Sequence, residues 1–346
     1  MKLGLLLGYS GADMDDPMQK VLEAERLGFD SVWTSEAWGS DAITPAAWVL
    51  AKTSKIKVGT AICQMQSRTP ALAAMTAMTL NAMSGGRFIL GIGPSGPQVI
   101  EGWHGVPYGK PLKRTKEYIE IIRKILERKG ALEYDGEHYQ IPYSGPGATG
   151  LGKPLRSILH GDPKMKIYSA SFSPKGVENA AECADGIFPI FMSPDKFDLF
   201  GGPLQKGFAK APGKSLQNFD ILPFVECEMG DDLDACRKPI KEHMGFYIGG
   251  MGARDKNFYN DYCKNLGYEA AAVEIQDKFL GRDRDGAYAA VPDALVDEVA
   301  LVGPKERIKE RLQDWKAAAK ERKVDSMLLR ATTSVEAMRV IAEEVL

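Results

Sequence analysis

The chain has 346 residues, of which 44% are hydrophobic and 26% charged, with a formal net charge of -2 at pH 7. This composition is typical of a soluble globular protein with a large core, and the small net charge argues against binding to nucleic acid or to an anionic membrane. The five cysteines are scattered and form no CxxC pair, which predicts reduced thiols in a cytoplasmic protein.

The first apolar segment, residues 3–7, is too short for a signal peptide or a membrane span and is predicted to be a buried strand. Strand and helix patterns then alternate along the chain. The eight predicted strands are residues 3–7, 30–34, 56–63, 88–91, 166–170, 186–190, 219–227 and 325–331. The predicted helices are residues 17–27, 45–51, 70–83, 114–128, 174–183, 194–209, 233–247, 304–320 and 335–345.

Near-continuous apolar strands separated by helices predict a parallel sheet that is covered on both faces. Eight such units in a chain of this length favour a closed (β/α)8 TIM barrel over an open doubly wound sheet, with residues 1–346 as a single α/β domain. Insertions are predicted at about residues 94–113, 130–165 and 249–303, and the second contains a β-hairpin that turns on Asp135 and Gly136.

A glycine-rich run at residues 91–96 matches the Gly-x-Gly-x-x-Gly fingerprint of dinucleotide-binding proteins. That fingerprint requires a helix to begin inside the motif, so that the helix N-terminus faces a pyrophosphate. Here Pro94 and Pro97 interrupt the pattern, and helical periodicity does not return until about Arg114. The run is therefore predicted to be a strand that continues into a long loop, and this loop is a candidate site.

In a TIM barrel the active site lies at the C-terminal ends of the strands. Glu36 ends the second predicted strand, and a carboxylate there is costly to bury unless it is paired, which favours a site role over a structural hydrogen-bonding role. His104 lies in the loop after the fourth strand, where it is either a site residue or a capping residue. Trp38 and Trp103 are predicted at the mouth of the barrel, and Arg68 is predicted to brace a loop.

The segment after the fifth strand has the sequence features of a helix start. Ser173 is suited to the N-cap and Pro174 to the first helical position, which leaves free backbone N–H groups. Such a start can bind an anion, and Lys175 would strengthen that site, although an ordinary capped helix is an equal alternative. The four histidines are not spaced as metal ligands, so no metal site is predicted.

Several segments together resemble the luciferase-like flavin and deazaflavin oxidoreductases, in particular the branch that uses coenzyme F420, an 8-hydroxy-5-deazaflavin. The resemblance extends over about residues 2–345 and is most specific at residues 84–93. The segments that carry it are residues 28–33 (GFDSVW) with Glu36, residues 57–62 (KVGTAI), Arg68 with Pro70, residues 84–93 (SGGRFILGIG), residues 184–186 (ADG) and residues 302–307 (VGPKER).

The resemblance implies a barrel with insertions over its mouth, a homodimer and a cofactor site. A non-proline cis peptide bond is implied at Ala61–Ile62, in a bulge that supports the back of the tricyclic ring. The loop at residues 93–96 would approach the polar edge of the ring, and the helix start at residues 175–176, with backbone near residues 186–187, would receive the phosphate. The candidate cofactor-binding residues are Tyr9, Glu36, Ala61, Ile62, Cys63, Gln64, Gly93, Pro94, Ser95, Gly96, Ser171, Lys175, Gly176, Gly186 and Ile187.

Two departures from that family bear on the catalytic residues. Several deazaflavin dehydrogenases place an acidic residue and a histidine together at the end of the second strand. Here Ala37 follows Glu36, so the histidine is missing and the proton donor of those enzymes cannot be assigned to a residue of this chain. The sugar-phosphate dehydrogenases of that family have a glutamate after the fourth strand, whereas this chain has Gly96 and Pro97 near that position. This difference argues against a sugar-phosphate substrate. The candidates for proton donor or base are Tyr9, Glu36, Glu101 and His104.

The leading hypothesis is hydride transfer between F420 and an alcohol, a carbonyl or an activated double bond of a small organic substrate. One alternative is an FMN-dependent monooxygenase of the same fold, supplied by a separate reductase. A second alternative is a non-catalytic F420-binding protein, which the missing histidine beside Glu36 favours.

Overall fold

The computed structural model describes residues 1–171 and 173–346, and its strands and helices alternate over most of the chain. The strands are β1 (Lys2–Gly8), β2 (Ser31–Thr34), β3 (Lys57–Thr60), β4 (Cys63–Gln64), β5 (Phe88–Gly93), β6 (Tyr134–Asp135), β7 (Gln140–Ile141), β8 (Ile167–Ser169), β9 (Gly186–Ile187), β10 (Asp220–Ile221), β11 (Phe224–Val225), β12 (Cys227–Met229), β13 (Leu301–Gly303) and β14 (Ser326–Arg330). The helices are α1 (Met18–Leu27), α2 (Ile43–Lys52), α3 (Pro70–Met83), α4 (Pro97–Gly102), α5 (Pro111–Glu127), α6 (Pro174–Cys183), α7 (Asp198–Phe208), α8 (Leu233–Gly250), α9 (Phe258–Asn265), α10 (Glu269–Leu280), α11 (Arg284–Ala289), α12 (Asp293–Val299), α13 (Lys305–Lys320) and α14 (Val335–Val345).

The main sheet is parallel and closes into a barrel. Its strand order is β10-β9-β8-β5-β3-β2-β1-β14-β11, with β4 also paired to β5. The two ends of this order, β10 and β11, are consecutive segments of one strand. On one side of that strand the N–H of Leu222 donates to the carbonyl of Ile187 at 3.0 Å, and on the other side the carbonyl of Pro223 accepts from Leu328 at 2.9 Å. The predicted eight-stranded TIM barrel is confirmed.

Two predicted strands are divided in the structure. The third, predicted at residues 56–63, consists of β3 and β4, which are separated at Ala61 and Ile62, and the peptide bond between these residues is cis, as the resemblance implies. The seventh, predicted at residues 219–227, consists of β10, β11 and β12. Of these, β12 leaves the barrel sheet and pairs instead with β13, in the third insertion.

The loop predicted after the fourth strand is partly helical. Pro97 occupies the first turn of the short helix α4, and α5 begins at Pro111 rather than at Arg114. The interpretation of Pro97 as a residue that blocks a helix was therefore wrong, because proline at the first helical position lacks an N–H that would have no partner in the helix anyway. The β-hairpin is present, but Gly136 donates to the carbonyl of Tyr139 at 2.9 Å, so its turn spans residues 136–139 and Asp135 is still paired.

The interior of the barrel is filled by large aromatic side chains. Trp33 is fully buried, with Phe188 and Tyr168 against it at ring-centroid distances of 5.1 and 5.8 Å. Gly91 leaves room for this packing, because a Cβ atom there would lie 2.9 Å from the ring of Phe188 and only 1.8 Å from the carbonyl oxygen of Thr60 on the neighbouring strand. This packed layer separates two open spaces: a cavity of about 450 Å³ at the C-terminal ends of the strands and a smaller one of about 230 Å³ at their N-terminal ends. Within the described ranges, no helix has the length and apolar character needed to cross a membrane.

Candidate active site

The C-terminal ends of the barrel strands surround a cavity of about 450 Å³ that opens to solvent. This volume lies within the range of small-molecule sites. Its walls are largely apolar, with the aromatic side chains of Tyr9, Trp38, Phe191, Phe224, Tyr247 and Tyr259. The predicted site residues that line it are Tyr9, Glu36, Ala61, Ile62, Gly93, Pro94, Ser95 and Gly96.

One wall of the cavity is formed by Ala61 and Ile62, between β3 and β4. The carbonyl of Ala61 accepts a hydrogen bond from the hydroxyl of Ser35 at 2.6 Å, and its N–H donates to the carbonyl of Thr34 at 2.6 Å. These two bonds attach the wall to the end of β2. Cys63 lies behind it and does not line the cavity, and burial raises the pKa of its thiol to about 12, so it is neither a ligand-contacting residue nor a nucleophile here.

The loop after β5 presents backbone donors to the same space. A Cβ atom at Gly93 would lie 3.0 Å from the side chain of Ile62, so glycine brings the end of β5 against the wall. Ser95 has a left-handed backbone conformation with φ of 55°. Within the described residues, the N–H groups of Ser95 and Gly96 make no hydrogen bond, and both residues line the cavity. Two hydrogen-bond donors are therefore available to a bound molecule.

Glu36 lies at the edge of the cavity, but its carboxylate is held by protein groups. Oε1 accepts from the guanidinium of Arg68 at 2.6 Å and from the N–H of Gln64 at 2.7 Å, and Oε2 accepts from the N–H of Ala42 at 3.0 Å. The Glu36 side chain is only 7% exposed. These contacts favour a structural hydrogen-bonding role for Glu36 over a site role, and Arg68 braces the loop as predicted.

Gln64 connects this ion pair to the loop after β5 from behind the cavity wall, although it does not itself line the cavity. Its amide nitrogen donates to the hydroxyl of Ser95 and to the carbonyl of Ala37, both at 3.1 Å. Its amide oxygen lies 2.6 Å from Nε2 of His104, so this nitrogen is the donor in that pair. His104 therefore lies one layer behind the cavity, where it orients Gln64.

The predictions for Glu101 and Trp103 need correction. Glu101 is exposed on α4, accepts from the N–H of Tyr108 at 3.2 Å and does not line the cavity. Trp103 follows α4, is 66% exposed and is also absent from the cavity wall, whereas Trp38 lines it. The reason in both cases is the helix, which carries these side chains away from the mouth that a loop would have covered.

The predicted anion site lies beside the cavity. The hydroxyl of Ser173 caps α6 by accepting from the N–H of Gly176 at 3.2 Å, with proline at the first helical position. Lys175 is exposed at this helix start, and Ser171 follows Ala170, which lines the cavity. The cap is confirmed, and Ser171, Lys175 and Gly176 lie next to the cavity rim without lining the cavity.

Gly186 and Ile187 follow the end of α6 rather than its start. They form β9, which begins after α6 has ended, and both are buried. The 10 residues of α6 correspond to roughly 15 Å at 1.5 Å per residue, so the two ends of the helix are far apart. Ile187 pairs with Ser169, the last residue of β8, while Gly186 pairs with Tyr168 one step further from the cavity. Neither residue lines the cavity, and their approach to a phosphate at Lys175 stays a prediction.

A polar cluster that sequence reasoning did not assemble lies on the opposite wall of the cavity. Glu226 follows β11, Arg330 ends β14 and His243 lies on α8. Nδ1 of His243 contacts the carboxylate of Glu226, and Nη1 of Arg330 lies 2.5 Å from Nε2 of His243. Glu226 lies at the end of the seventh predicted strand, where the sequence predicts site residues, and the same reasoning could have found Arg330 at the end of the eighth. His243 lies on a helix and has no such signal. The described residues include no group of three or more His, Cys, Asp or Glu side chains that could hold a metal ion.

Comparison with known proteins relates this architecture to one family. Residues 3–321 match the family model of luciferase-like monooxygenases. A Mycobacterium tuberculosis protein, provisionally named coenzyme F420-dependent oxidoreductase Rv3520c, is 42% identical over 322 residues, which are 92% of each chain. The 5,10-methylenetetrahydromethanopterin reductase of Archaeoglobus fulgidus is 30% identical over 298 residues, which are 85% of this chain and 84% of that protein.

The comparison with solved structures agrees with the observed fold. The structure of the coenzyme F420-dependent tetrahydromethanopterin reductase of Methanopyrus kandleri matches with a TM-score of 0.78 at 21% sequence identity, and it covers 99% of this chain and 98% of that one. The family model covers most of the chain, and the sequence relatives extend over the same region. The chain is therefore an enzyme of the luciferase-like monooxygenase family.

Proposed function

We propose that this enzyme transfers a hydride between coenzyme F420 and a small organic substrate that carries an alcohol, a carbonyl or an activated double bond. The observation that carries the proposal is the position of two unpaired N–H groups, those of Ser95 and Gly96, beside the apolar wall of Ala61 and Ile62. A flat tricyclic ring needs apolar contact on its faces and hydrogen-bond donors at its polar edge. The relative at 42% identity, which is named for F420, supports this cofactor.

The residues around the cavity fit that cofactor. Ile62 would lie against one face of the ring, and the N–H groups of Ser95 and Gly96 would donate to its edge. The start of α6, with Lys175, would receive the phosphate of the side chain. Tyr9 and Trp38, whose ring centroids are 6.3 Å apart, line the cavity and would exclude water from the reacting atoms.

When bound, the deazaflavin supplies a ring carbon that donates or accepts a hydride. The chain must then provide or remove a proton. Of the predicted donors, Tyr9 and Glu36 line the cavity, while Glu101 and His104 do not. Because the carboxylate of Glu36 is held by Arg68 and two backbone N–H groups, we assign it a positioning role. Tyr9 remains a proposed donor.

The second candidate function is an FMN-dependent monooxygenase. The matching family model is described as a monooxygenase model, and the same wall and donors would hold the ring of FMN. Titration of the apo-protein with each cofactor, followed by fluorescence, distinguishes the two candidates. We expect F420 to bind at least roughly tenfold more tightly, a difference of about 1.4 kcal/mol. Tight binding of FMN without binding of F420 would overturn the proposal in favour of the monooxygenase.

Turnover provides the second part of the test. Reduced F420 is mixed anaerobically with a panel of ketones, aldehydes and conjugated enones, and its oxidation is followed by absorbance. Binding of F420 without turnover of any compound would favour a non-catalytic binding protein. Ile62→Ala shortens the wall and is expected to weaken F420 binding several-fold, while Ile158→Ala, at a residue that is 93% exposed, is the matched control.

A further inference from the structure

Arg330 has an unused hydrogen-bonding edge that the proposed cofactor site does not explain. Among the described residues that line the cavity, it is the only lysine or arginine. Its Nη1 atom lies 2.5 Å from Nε2 of His243 and 3.4 Å from Oε1 of Glu226. Its Nε and Nη2 atoms make no hydrogen bond within residues 1–171 and 173–346, and the side chain is 32% exposed. The side-on edge of the guanidinium is therefore free.

The partners of Nη1 hold this guanidinium in place. Nη1 lies 2.5 Å from Nε2 and 3.2 Å from Nδ1 of His243, and Nδ1 of His243 contacts the carboxylate of Glu226. Glu226 is 13% exposed, and its charge is engaged by both neighbours. The three residues come from β14, α8 and the segment after β11, so rigid elements fix the orientation of the free edge.

Tyr247 adds a second donor on the same wall. Its ring lies 4.7 Å from that of His243, and it lines the cavity. Its hydroxyl makes no hydrogen bond within the part of the chain that the structure describes. Burial raises the pKa of Tyr247 to about 12, so the hydroxyl remains protonated at neutral pH and can donate. Phe191, 6.1 Å away between ring centroids, provides apolar contact beside it.

We propose that Arg330 and Tyr247 form a subsite that binds a carboxylate group of the substrate. The Nε and Nη2 donors of Arg330 match the two oxygens of a carboxylate in a bidentate arrangement, which a lysine cannot reproduce. The hydroxyl of Tyr247 would donate to one of the same oxygens. That this carboxylate belongs to the molecule that reacts with the cofactor rests on the proposed function. The binding of a carboxylate at Arg330 and Tyr247 does not rest on it, because this binding requires no cofactor.

The test uses two pairs of probes of closely matched shape, in each of which a neutral amide replaces a carboxylate: benzoate with benzamide, and cyclohexanecarboxylate with its carboxamide. Each is titrated calorimetrically into the full chain without cofactor. We expect each acid to bind at least roughly tenfold more tightly than its amide. Arg330→Lys and Arg330→Gln should weaken the acids ~10- to 100-fold and leave the amides unchanged, and Tyr247→Phe should weaken the acids several-fold. The matched control is Arg339→Lys, because Arg339 lies on α14, away from the cavity, and forms an ion pair with Glu23 of α1. This substitution should change the affinity for neither the acids nor the amides.

A second readout separates this subsite from the cofactor site. The affinity of each variant for F420 is measured by fluorescence, and Arg330→Lys is expected to leave it unchanged. Wild-type protein that binds acids and amides equally would overturn the proposal, and so would an Arg330→Lys variant that loses F420 affinity in parallel, because Arg330 would then belong to the cofactor. Selective binding of acids by a protein that fails to bind F420 would uphold the subsite and refute the proposed function.

Discussion

The guanidinium of Arg68 lies 2.6 Å from the carboxylate of Glu36, and this ion pair joins the loop after β2 to the segment after β4. The same carboxylate oxygen accepts from the N–H of Gln64, whose side chain reaches Ser95 in the loop after β5. Three of the loops around the cavity are therefore connected through one charged group. We expect the geometry of the cavity to depend on this pair.

Replacement of Glu36 by glutamine is expected to lower the free energy of unfolding by about 3 kcal/mol, because Arg68 is only 16% exposed and loses the nearer of its two carboxylate partners, keeping only Asp41 at 3.8 Å. Urea denaturation measures the change. Glu127→Gln, at an exposed ion pair with Lys129, is the control and should change the midpoint little. A variant with unchanged stability but no turnover would instead assign a catalytic role to Glu36.

His104→Ala tests the orientation of Gln64. Gln64 is 1% exposed, and loss of the imidazole would leave its amide oxygen without the donor 2.6 Å away. The expected cost is roughly 1–2 kcal/mol of stability, together with weaker F420 binding because Ser95 is held by the same amide. His160→Ala, at an exposed position, should affect neither quantity. Loss of turnover with full stability and full F420 affinity would argue for direct participation of His104.

The glycines of the strand-end motif are expected to differ in their tolerance of alanine. Gly91→Ala would place a Cβ atom 1.8 Å from the carbonyl of Thr60 and should destabilise the barrel by about 3 kcal/mol or more. The Cβ atom of Gly93→Ala would meet only side-chain atoms, those of Ile62 at 3.0 Å and of Ala170 at 3.2 Å, so this substitution should cost less stability but weaken cofactor binding. Gly102→Ala, with no atom within 4 Å, is the control. Thermal unfolding and fluorescence titration measure the two effects, and equal losses at positions 91 and 93 would contradict the account.

The thiol of Cys63 is expected to be unreactive in the folded protein. Its pKa is raised from 9.0 to about 12, chiefly by burial and then by the charge of Glu36, so the thiolate fraction at pH 8 falls by roughly a thousandfold. Mass spectrometry after treatment with iodoacetamide should show Cys63 unmodified in the native protein and labelled in urea. Rapid native labelling at pH 8 would show that the wall of Ala61 and Ile62 opens.

Glu25 provides a prediction of pH dependence. Burial by itself raises the pKa of its carboxyl. Hydrogen bonds from the N–H groups of Ile56, Lys55 and Ser54, at 2.7–3.0 Å, together lower the pKa by more, so the pKa of Glu25 in the folded protein lies below its ordinary value of 4.5. A depressed pKa in the folded state adds stability above pH 4.5 that disappears as the pH falls below it. Glu25→Gln should therefore lower the urea midpoint at pH 7 and approach wild type in acid. A difference that is constant with pH would contradict this assignment.

Much of the cavity could be predicted without coordinates. The ends of parallel barrel strands converge whatever their side chains, so knowing that Tyr9, Ile62 and Gly93 follow strands was enough to bring them together. The wrong predictions came from sequence patterns that are compatible with two different local structures. Proline after a strand indicates either a loop or the first turn of a helix, and Pro97 begins a helix that carries Glu101 away from the cavity.

The spacing of apolar residues was sufficient to predict the barrel architecture. A spacing of two residues indicates a strand and one of 3.6 residues a helix, and each shows which face of the element is buried. Eight strand–helix units of this kind can pack in few ways other than a closed barrel. The partners of charged side chains were decided only by the tertiary structure. Arg330 meets His243 and Glu226 across 87 and 104 positions of sequence, because packing of α8 against the barrel brings a helical side chain to the end of β14. Contacts between residues so distant in sequence depend on how whole elements are placed, and local patterns do not record that placement.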